Sequence, residues 1–391
     1  MENQEKISFN KLYDKYHKIV LIIPAILLIL SLAYLFIFYS KHNDIIFKDI
    51  SLTGGSSITI YEKISPEKIQ QDLSTRLEEL ETIQLYDIVT REQKVVIIAT
   101  KTPVEEAKPI LEKYLNHELT EDNSSFEFTG ASLSAGFYEQ LRKAVIVAFL
   151  LMSVVVFIVF GEILTIKIYS IILTLFSVNI IFNNFSSLHS LITYLLLPIS
   201  ILSLIFLASK NSKYKWPIFI VFAIIYFVQF FLNISILLIL FAIALIGIYL
   251  FFSVPSLAVI LSAFADMVMT VAIVDLFGMK ISSAGIVAFL MLIGYSVDTD
   301  IMLTNRLLKR TSGTINHHVW SAFKTGMSMT ITALFAVLVS LIITKSLSPI
   351  LAQIFTVILI GLLFDMINTW ITNTSLLKWY VESKERRKNQ P

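Results

Sequence analysis

Residues 19–39 read IVLIIPAILLILSLAYLFIFY and hold no charged side chain. A run of about 20 apolar residues lets an α-helix cross a bilayer core, where every backbone N–H and C=O must find its partner within the chain. Helices must therefore dominate this chain. Comparable runs follow near 143–160, 163–182, 189–208, 217–232, 235–253, 255–277, 281–303, 326–343 and 350–372, so the sequence predicts ten spans. Only Asn233-Ile-Ser separates the pair in 217–253, which also reads as one long tilted helix. Composition agrees, with 56% hydrophobic residues, 15% charged residues and a mean hydropathy of +0.76. These values exclude a disordered chain and a soluble enzyme of ordinary make-up. The absence of cysteine excludes a disulfide scaffold, thiolate metal ligands and a Cys nucleophile.

Charge placement predicts an orientation. Lys6, Lys11, Lys15 and Lys18 precede the first run, as in a signal peptide. The run is too long for one, and no small-x-small site follows, so it reads as a retained anchor. With residues 1–18 cytoplasmic, ten spans put 17 Lys/Arg inside, among them Lys210, Lys213, Lys215, Arg306, Lys309, Arg310 and the tail at 373–391. Arg142, Lys143, Lys280 and Lys345 fall at short external ends. An even number of spans keeps the basic tail inside.

Residues 41–129 carry 10 Lys/Arg and 17 Asp/Glu, net −7, while the remaining residues carry 21 and 12, net +9. An acidic soluble insert is thus carried by a very apolar body. Within it, 56–61, 83–91, 94–100 and 125–129 have strand character. Ser65-Pro66 and Thr102-Pro103 open two helices, the second with Pro109 expected to kink it. The order βαββαβ predicts a ferredoxin-like α+β domain over 40–135. Its acidic surface reads as a solvated face. No catalytic or metal constellation stands out, so neither an enzyme nor a cofactor is expected, and the small net charge implies no nucleic-acid partner.

Carboxylates inside spans are expensive and usually functional. Asp266, Asp298, Asp300 and Asp365 lie in predicted spans, Asp298 and Asp365 at similar depth. Arg306 follows Asp298 by eight residues, about two helical turns, so the two are expected to share a face. Asp298 is the leading candidate. Asp300, two residues on, points elsewhere and reads as reaching lipid headgroups. The structural alternative is that these acids pair with Asn, Thr or Arg to hold helices together, and Thr330, Thr332, Asn368 and Thr369 are possible partners. Asp275 and Lys280 read as interfacial, and Gly294 as a place for close packing or a bend. Residues 314–325 predict an amphipathic surface helix with Ile315, Val319, Ala322 and Phe323 on one stripe. His317 and His318 face different ways on it, against a shared metal. Asn123, Asn184 and Asn233 head glycosylation sequons on the external side, a weak motif.

At these residues the chain resembles the SecD/SecF family, in its archaeal SecF form. GYSVDTDIMLTNRLLKR at 294–310, with Gly294, Tyr295 and Ser296 at its start, is similar to the family's fourth-helix motif. Leu52-Thr-Gly54-Gly55 resembles its Gly-Gly element, and Gly130-Ala-Ser-Leu133 its Gly-Pro-Ser-Leu. SAFADMVMT around Asp266, KTGMSMTITAL at 324–334 and GLLFDMINTWITN at 361–373 complete the set. The resemblance covers roughly 15–160 and 252–382.

The resemblance implies a multi-pass cell-membrane subunit with a six-helix core of the RND superfamily and one extracytoplasmic domain. It implies action with a SecD-like subunit and the SecYEG channel on exported preproteins, driven by the proton-motive force. Asp298 falls where SecD has its fourth-helix aspartate, and Arg306 matches the arginine closing the motif. Bacterial SecF usually has Asn-Asp-Thr where this chain has Asp298-Thr299-Asp300. The core is expected in spans at 19–39 and 142–160 and in the four helices of 255–372. Residues 161–253 depart from it, adding about four helices suited to packing, membrane-lipid contact or docking. A stand-alone RND-like pump for lipids or hydrophobic molecules is the alternative, although such pumps carry both six-helix halves in one chain.

Overall fold

A computed structural model describes residues 19–87, 89–90, 92–182, 234–309 and 313–388. The expected spans near 189–208 and 217–232 lie outside these residues. So do the basic residues of 1–18, Lys210, Lys213, Lys215 and Arg310, and the sequons at Asn184 and Asn233.

The first span is α1, Ile22–His42, ended by Asn43 in the left-handed conformation, φ 54°. A linker then enters a short helix, α2 (Ile50–Thr53), whose first N–H is taken by the Asp49 carboxylate. Next comes the sheet domain: β1 (Gly55–Ile60), α3 (Pro66–Leu73), β2 (Glu81–Tyr86), β3 (Gln93–Thr100), α4 (Val104–Leu115) and β4 (Ser124–Thr129). The strands pair in the order β2-β3-β1-β4, with every neighbour antiparallel. This is the topology expected of the split βαβ pattern. One sheet face (Ile58, Ile60, Val96, Ile98) buries Ile69, Leu73 and Leu77 from the α3 side and Ala107 and Leu111 from α4. Helix α4 runs through Pro109.

From Gly130 the chain enters α5 (Ala131–Phe160), which begins before the apolar run at 142, so its first turns stand above the span. Two helices of the inserted region are described, α6 (Leu164–Phe182) and α7 (Ile234–Phe252). They pack against α5 through Val156, Phe157, Leu173, Leu245 and Tyr249. Then follow α8 (Val254–Leu276), α9 (Ser283–Leu308), α10 (Ile315–Thr344) and α11 (Pro349–Ile367). A π-helical turn, Asn368–Asn373, joins α11 to α12 (Thr374–Lys388) as one rod. Among the described residues, six helices are long and apolar enough to cross a membrane: α1, α5, α8, α9, α10 and the α11–α12 rod. The chain is a multi-pass, mostly helical membrane protein with one small antiparallel-sheet domain. Helix α8 sits at its centre, with Val259, Ala263, Met269 and Val274 all buried.

Several sequence expectations change here. Residues 315–325 are the first turns of α10 rather than a separate surface helix. The helix runs on through Gly326 into the span, and Val319 and Ala322 are buried against Leu303, Leu307 and Leu377. Gly294 has open space around its Cβ position, so it is no close-packing point. Gly361 and Gly326 fill that role, since a Cβ would fall 2.4 Å from Leu292 Cδ2 at Gly361 and 2.4 Å from Trp370 Cζ2 at Gly326. Asp275 is buried rather than interfacial, and one carboxylate oxygen accepts Phe47 N at 3.3 Å.

The Gly54-Gly55 element has a direct reason. Gly54 has φ +86°, and a Cβ there would lie 2.4 Å from Ala131 Cα. The start of the sheet and the start of α5 thus cross in backbone contact. We predict that Gly54→Ala destabilises the protein by about 1–3 kcal/mol, read as a lower melting temperature in detergent. The adjoining linker is held by charge. Asp44 is partly buried, which opposes ionisation, but bonds from Lys48, Tyr138 and Ile45 N hold its carboxyl below the usual carboxylate range. Because the folded value is the lower one, this contribution is present above the unfolded value and is lost as pH falls through the folded one. Melting temperatures measured down from about pH 6 should therefore fall more steeply in the wild type than in Asp44→Asn.

Candidate functional site

Three helical rods bring acidic residues to one buried layer. Helix α8 supplies Asp266, α9 supplies Asp300 and the α11–α12 rod supplies Asp365, and all three are fully buried. The surrounding amides and hydroxyls come from the same rods. Ser296 Oγ donates to Asp266 Oδ2 at 2.6 Å, and Asn368 Nδ2 donates to Asp266 Oδ1 at 2.7 Å. Asn373 Nδ2 donates to Asp300 Oδ1 at 2.7 Å, and Thr369 Oγ1 to Asp365 Oδ1 at 3.1 Å. The three carboxyl groups lie within electrostatic reach of one another. Among the described residues, Asp300 Oδ2, Asp365 Oδ2 and Asn373 Oδ1 are buried without a hydrogen-bond partner.

The π turn explains why so many partners converge from one rod. Successive α-helical residues advance by about 100°, so five residues would carry Asn373 about 140° round from Asn368. In the π turn the backbone repeats over five residues, and Thr374 Oγ1 accordingly reaches back to Thr369 O at 2.9 Å. The wider turn returns Asn373 to the inner face, where it meets Asp300. Such turns are frequent at functional sites.

The ranking of the sequence candidates is therefore revised. Asp298 is exposed on α9, and among the described residues its carboxylate makes no hydrogen bond or ion pair. Two residues along a helix turn a side chain through about 200°, so Asp298 and Asp300 cannot both face the core. Burial of Ser296, Thr299, Asp300, Leu303 and Thr304 puts Asp300 inside. Asp300 reaches Asn373 and not a headgroup. Arg306 does not pair with Asp298; its Nη1 donates to Ser321 O at 2.8 Å on α10. Tyr295 Oη donates to Met329 O at 3.4 Å, which also links α9 to α10. Thr332 bonds Ser328 O on its own helix and is no acid partner.

One residue escaped the sequence reading. Lys378, counted there among the cytoplasmic basic residues, is 1% exposed, and its Nζ donates to Asn316 Oδ1 at 2.7 Å. The signal that could have exposed the layer is the polar run Asn368-Thr369 and Thr372-Asn373-Thr374 inside an apolar helix, with Ser296, Asp300 and Thr304 at four-residue spacing. Among the described residues no group of three His, Cys, Asp or Glu side chains is placed to hold a metal ion.

Residues 227–383, which span the whole layer, match the family described as protein export membrane protein SecD/SecF, C-terminal. The chain is similar to SecF, a protein-export membrane protein, of several archaea. It is 46% identical to that of Methanocaldococcus jannaschii over 148 residues, 37% of this chain and 52% of the relative. It is 48% identical to that of Methanothermobacter thermautotrophicus over 132 residues, 33% of this chain and 46% of the relative. The chain thus spans about half the length of the relatives it matches. Among solved structures, that of SecDF, a translocon-associated membrane protein from Thermus thermophilus, superposes with a TM-score of 0.50 at 15% identity. The superposition covers 94% of this chain and 38% of that one, and it shows a shared fold.

The layer makes a structural prediction. Asn368→Ala leaves Asp266 Oδ1 buried without a donor, and a buried polar group so stranded costs about 1–3 kcal/mol. In an Asp266→Ala background the same change should cost much less, giving a non-zero coupling in a double-mutant cycle of detergent melting.

Proposed function

We propose that this protein is an accessory subunit of protein export of the SecF kind, and that proton movement through the Asp266–Asp300–Asp365 layer drives it. The observation that carries the proposal is this layer, lying within the segment that matches the SecD/SecF family. Three carboxylates buried side by side keep their charge only at a large desolvation and repulsion cost. Asp266 and Asp300 are held from other rods by one or two amides or hydroxyls, and Asp365 by Thr369 of its own rod. Loading or removing a proton therefore changes which helix contacts are favourable, as conversion of ion flux into helix movement requires.

In this reading the sheet domain lies outside, where it meets emerging chains, and both termini lie inside. The partners are a SecD-like subunit, the Sec channel and the exported chain. The similarity to archaeal SecF supports the first two. The even count of spans and the basic ends support the orientation. The inserted helices α6 and α7 pack on α5 and α8 and leave Leu175, Ile243, Leu250 and Phe251 exposed, which suits contact with lipid or a neighbouring subunit.

The test contrasts neighbouring acids. Asp300→Asn should lower proton flux and export at least tenfold in vesicles containing the full complex, while Asp298→Asn should leave both near wild type. Loss in Asp298→Asn with activity retained in Asp300→Asn would overturn the assignment. Affinity capture in mild detergent without any SecD-like or channel subunit would count against the export reading itself.

A further inference from the structure

The acids lie far along the bundle from the sheet domain, yet one short loop is tied both to the rods that carry them and to that domain. Residues 277–282 link α8 to α9, the rods of Asp266 and Asp300. From the α11 rod, Gln353 closes on this loop with both ends of its amide. Its Oε1 accepts Ser282 N at 2.9 Å and Ser282 Oγ at 2.5 Å, and its Nε2 donates to Lys280 O at 2.5 Å. Space is made for it by Gly285, where a Cβ would lie 2.7 Å from Gln353 Oε1 and 2.9 Å from Ile281 Cγ2. Gln353 precedes Asp365 by twelve residues on one unbroken helix, about 18 Å along its axis.

The same loop grips the sheet domain and its linker. Ile281 N donates to Phe47 O at 2.7 Å and Asp49 N to Ile281 O at 3.0 Å, an isolated parallel bridge between linker and loop. Ser283 N donates to Ser51 Oγ at 3.1 Å. Lys280 forms an ion pair with Glu81, the first residue of β2. Beyond this bridge the linker runs through α2 directly into Gly54 and β1, with no slack in between. A second, smaller contact, Tyr86 N to Ser346 O at 3.2 Å, joins β2 to the α10–α11 loop.

We propose that Gln353 pins the Lys280–Ser283 segment to α11, making it the joint that carries movement of the acid-bearing rods to the sheet domain. Gln353 is a positioning residue here, since it touches neither an acid nor an exported chain. The inference rests on the proton-coupled reading above. With the pin in place, a shift of the α11 rod relative to α8 and α9 must either move the loop or break three hydrogen bonds. Because the loop holds the linker by backbone pairing and β2 by an ion pair, moving it re-aims the domain. Without the pin, the rods rearrange and the domain stays behind.

The chain has no cysteine, so two introduced ones are its only labelling sites. Spin labels at Glu121, exposed in the sheet domain, and Val339, exposed on α10, report the domain's position by pulsed distance measurement in nanodiscs. Asp300→Asn should shift that distance when Gln353 is present. In Gln353→Ala, or in Gly285→Ala, whose new methyl displaces the amide, at least half of the shift should be lost. Gln353→Glu keeps the acceptor for Ser282, and it serves if the alanine variant fails to fold. It should show a partial loss. A shift of full size in all of these variants overturns the pin and leaves proton coupling standing. No Asp300→Asn shift even with Gln353 in place overturns the pin together with the coupling reading.

Discussion

The cost of holding three carboxyl groups in a dry helical bundle organises this molecule. Asp266, Asp300 and Asp365 come from three separate rods, and each needs hydrogen-bond donors to be tolerated there. Ser296 and Asn368 serve Asp266, Asn373 serves Asp300 and Thr369 serves Asp365. That requirement dictates the orientation of α9, the π turn in the last rod and the central place of α8. The apolar surfaces around them, such as Leu292 against Gly361, then fill in the contact. Bonds to charged groups are directional, whereas apolar packing within lipid has little net drive, so the polar layer sets the register of the bundle.

The layer is also incompletely satisfied. Among the described residues, two carboxylate oxygens and one amide oxygen of the layer have no hydrogen-bond partner. A layer built only for adhesion would be expected to close all its bonds. Open bonds beside three acids fit a site whose proton content changes. The sheet-domain end is tied by direct bonds. There Gln353 places its acceptor and its donor on the Lys280–Ser283 segment, which in turn pairs with the linker.

Much of this was legible beforehand because it follows from one-dimensional pattern. Alternation in SSITIY and the Ser-Pro and Thr-Pro helix starts yielded the βαββαβ order, and the sheet has the corresponding β2-β3-β1-β4 arrangement. The candidate acids were found because a charged residue in an apolar run is conspicuous. The structure leaves Asp298 exposed and buries Asp300. The motif drew attention to the first, while the four-residue spacing of Ser296, Asp300 and Thr304 marked the buried face. Arg306 was matched to Asp298 by helical phase, but its guanidinium goes to Ser321 on the neighbouring helix. Residues 315–325 looked amphipathic on their own, and only the contacts of Val319 and Ala322 with α9 and α12 make them part of a buried rod.

Hydrophobic length and charge placement by themselves determined that this chain is a helical membrane protein bearing a small acidic α+β domain. Those properties depend on the solvent each residue prefers, and solvent preference is local. The tertiary structure decided which acids meet, because two residues on α9 face opposite ways and only the packing of α8 and the last rod says which way is inward. It also decided that Asn373 joins the layer, through a π turn that no propensity of Asn-Thr-Trp-Ile-Thr-Asn announces. Finally it placed Gln353, an unremarkable residue in an apolar run, where three rods and the external domain come together. That role depends on contacts between segments far apart in the sequence.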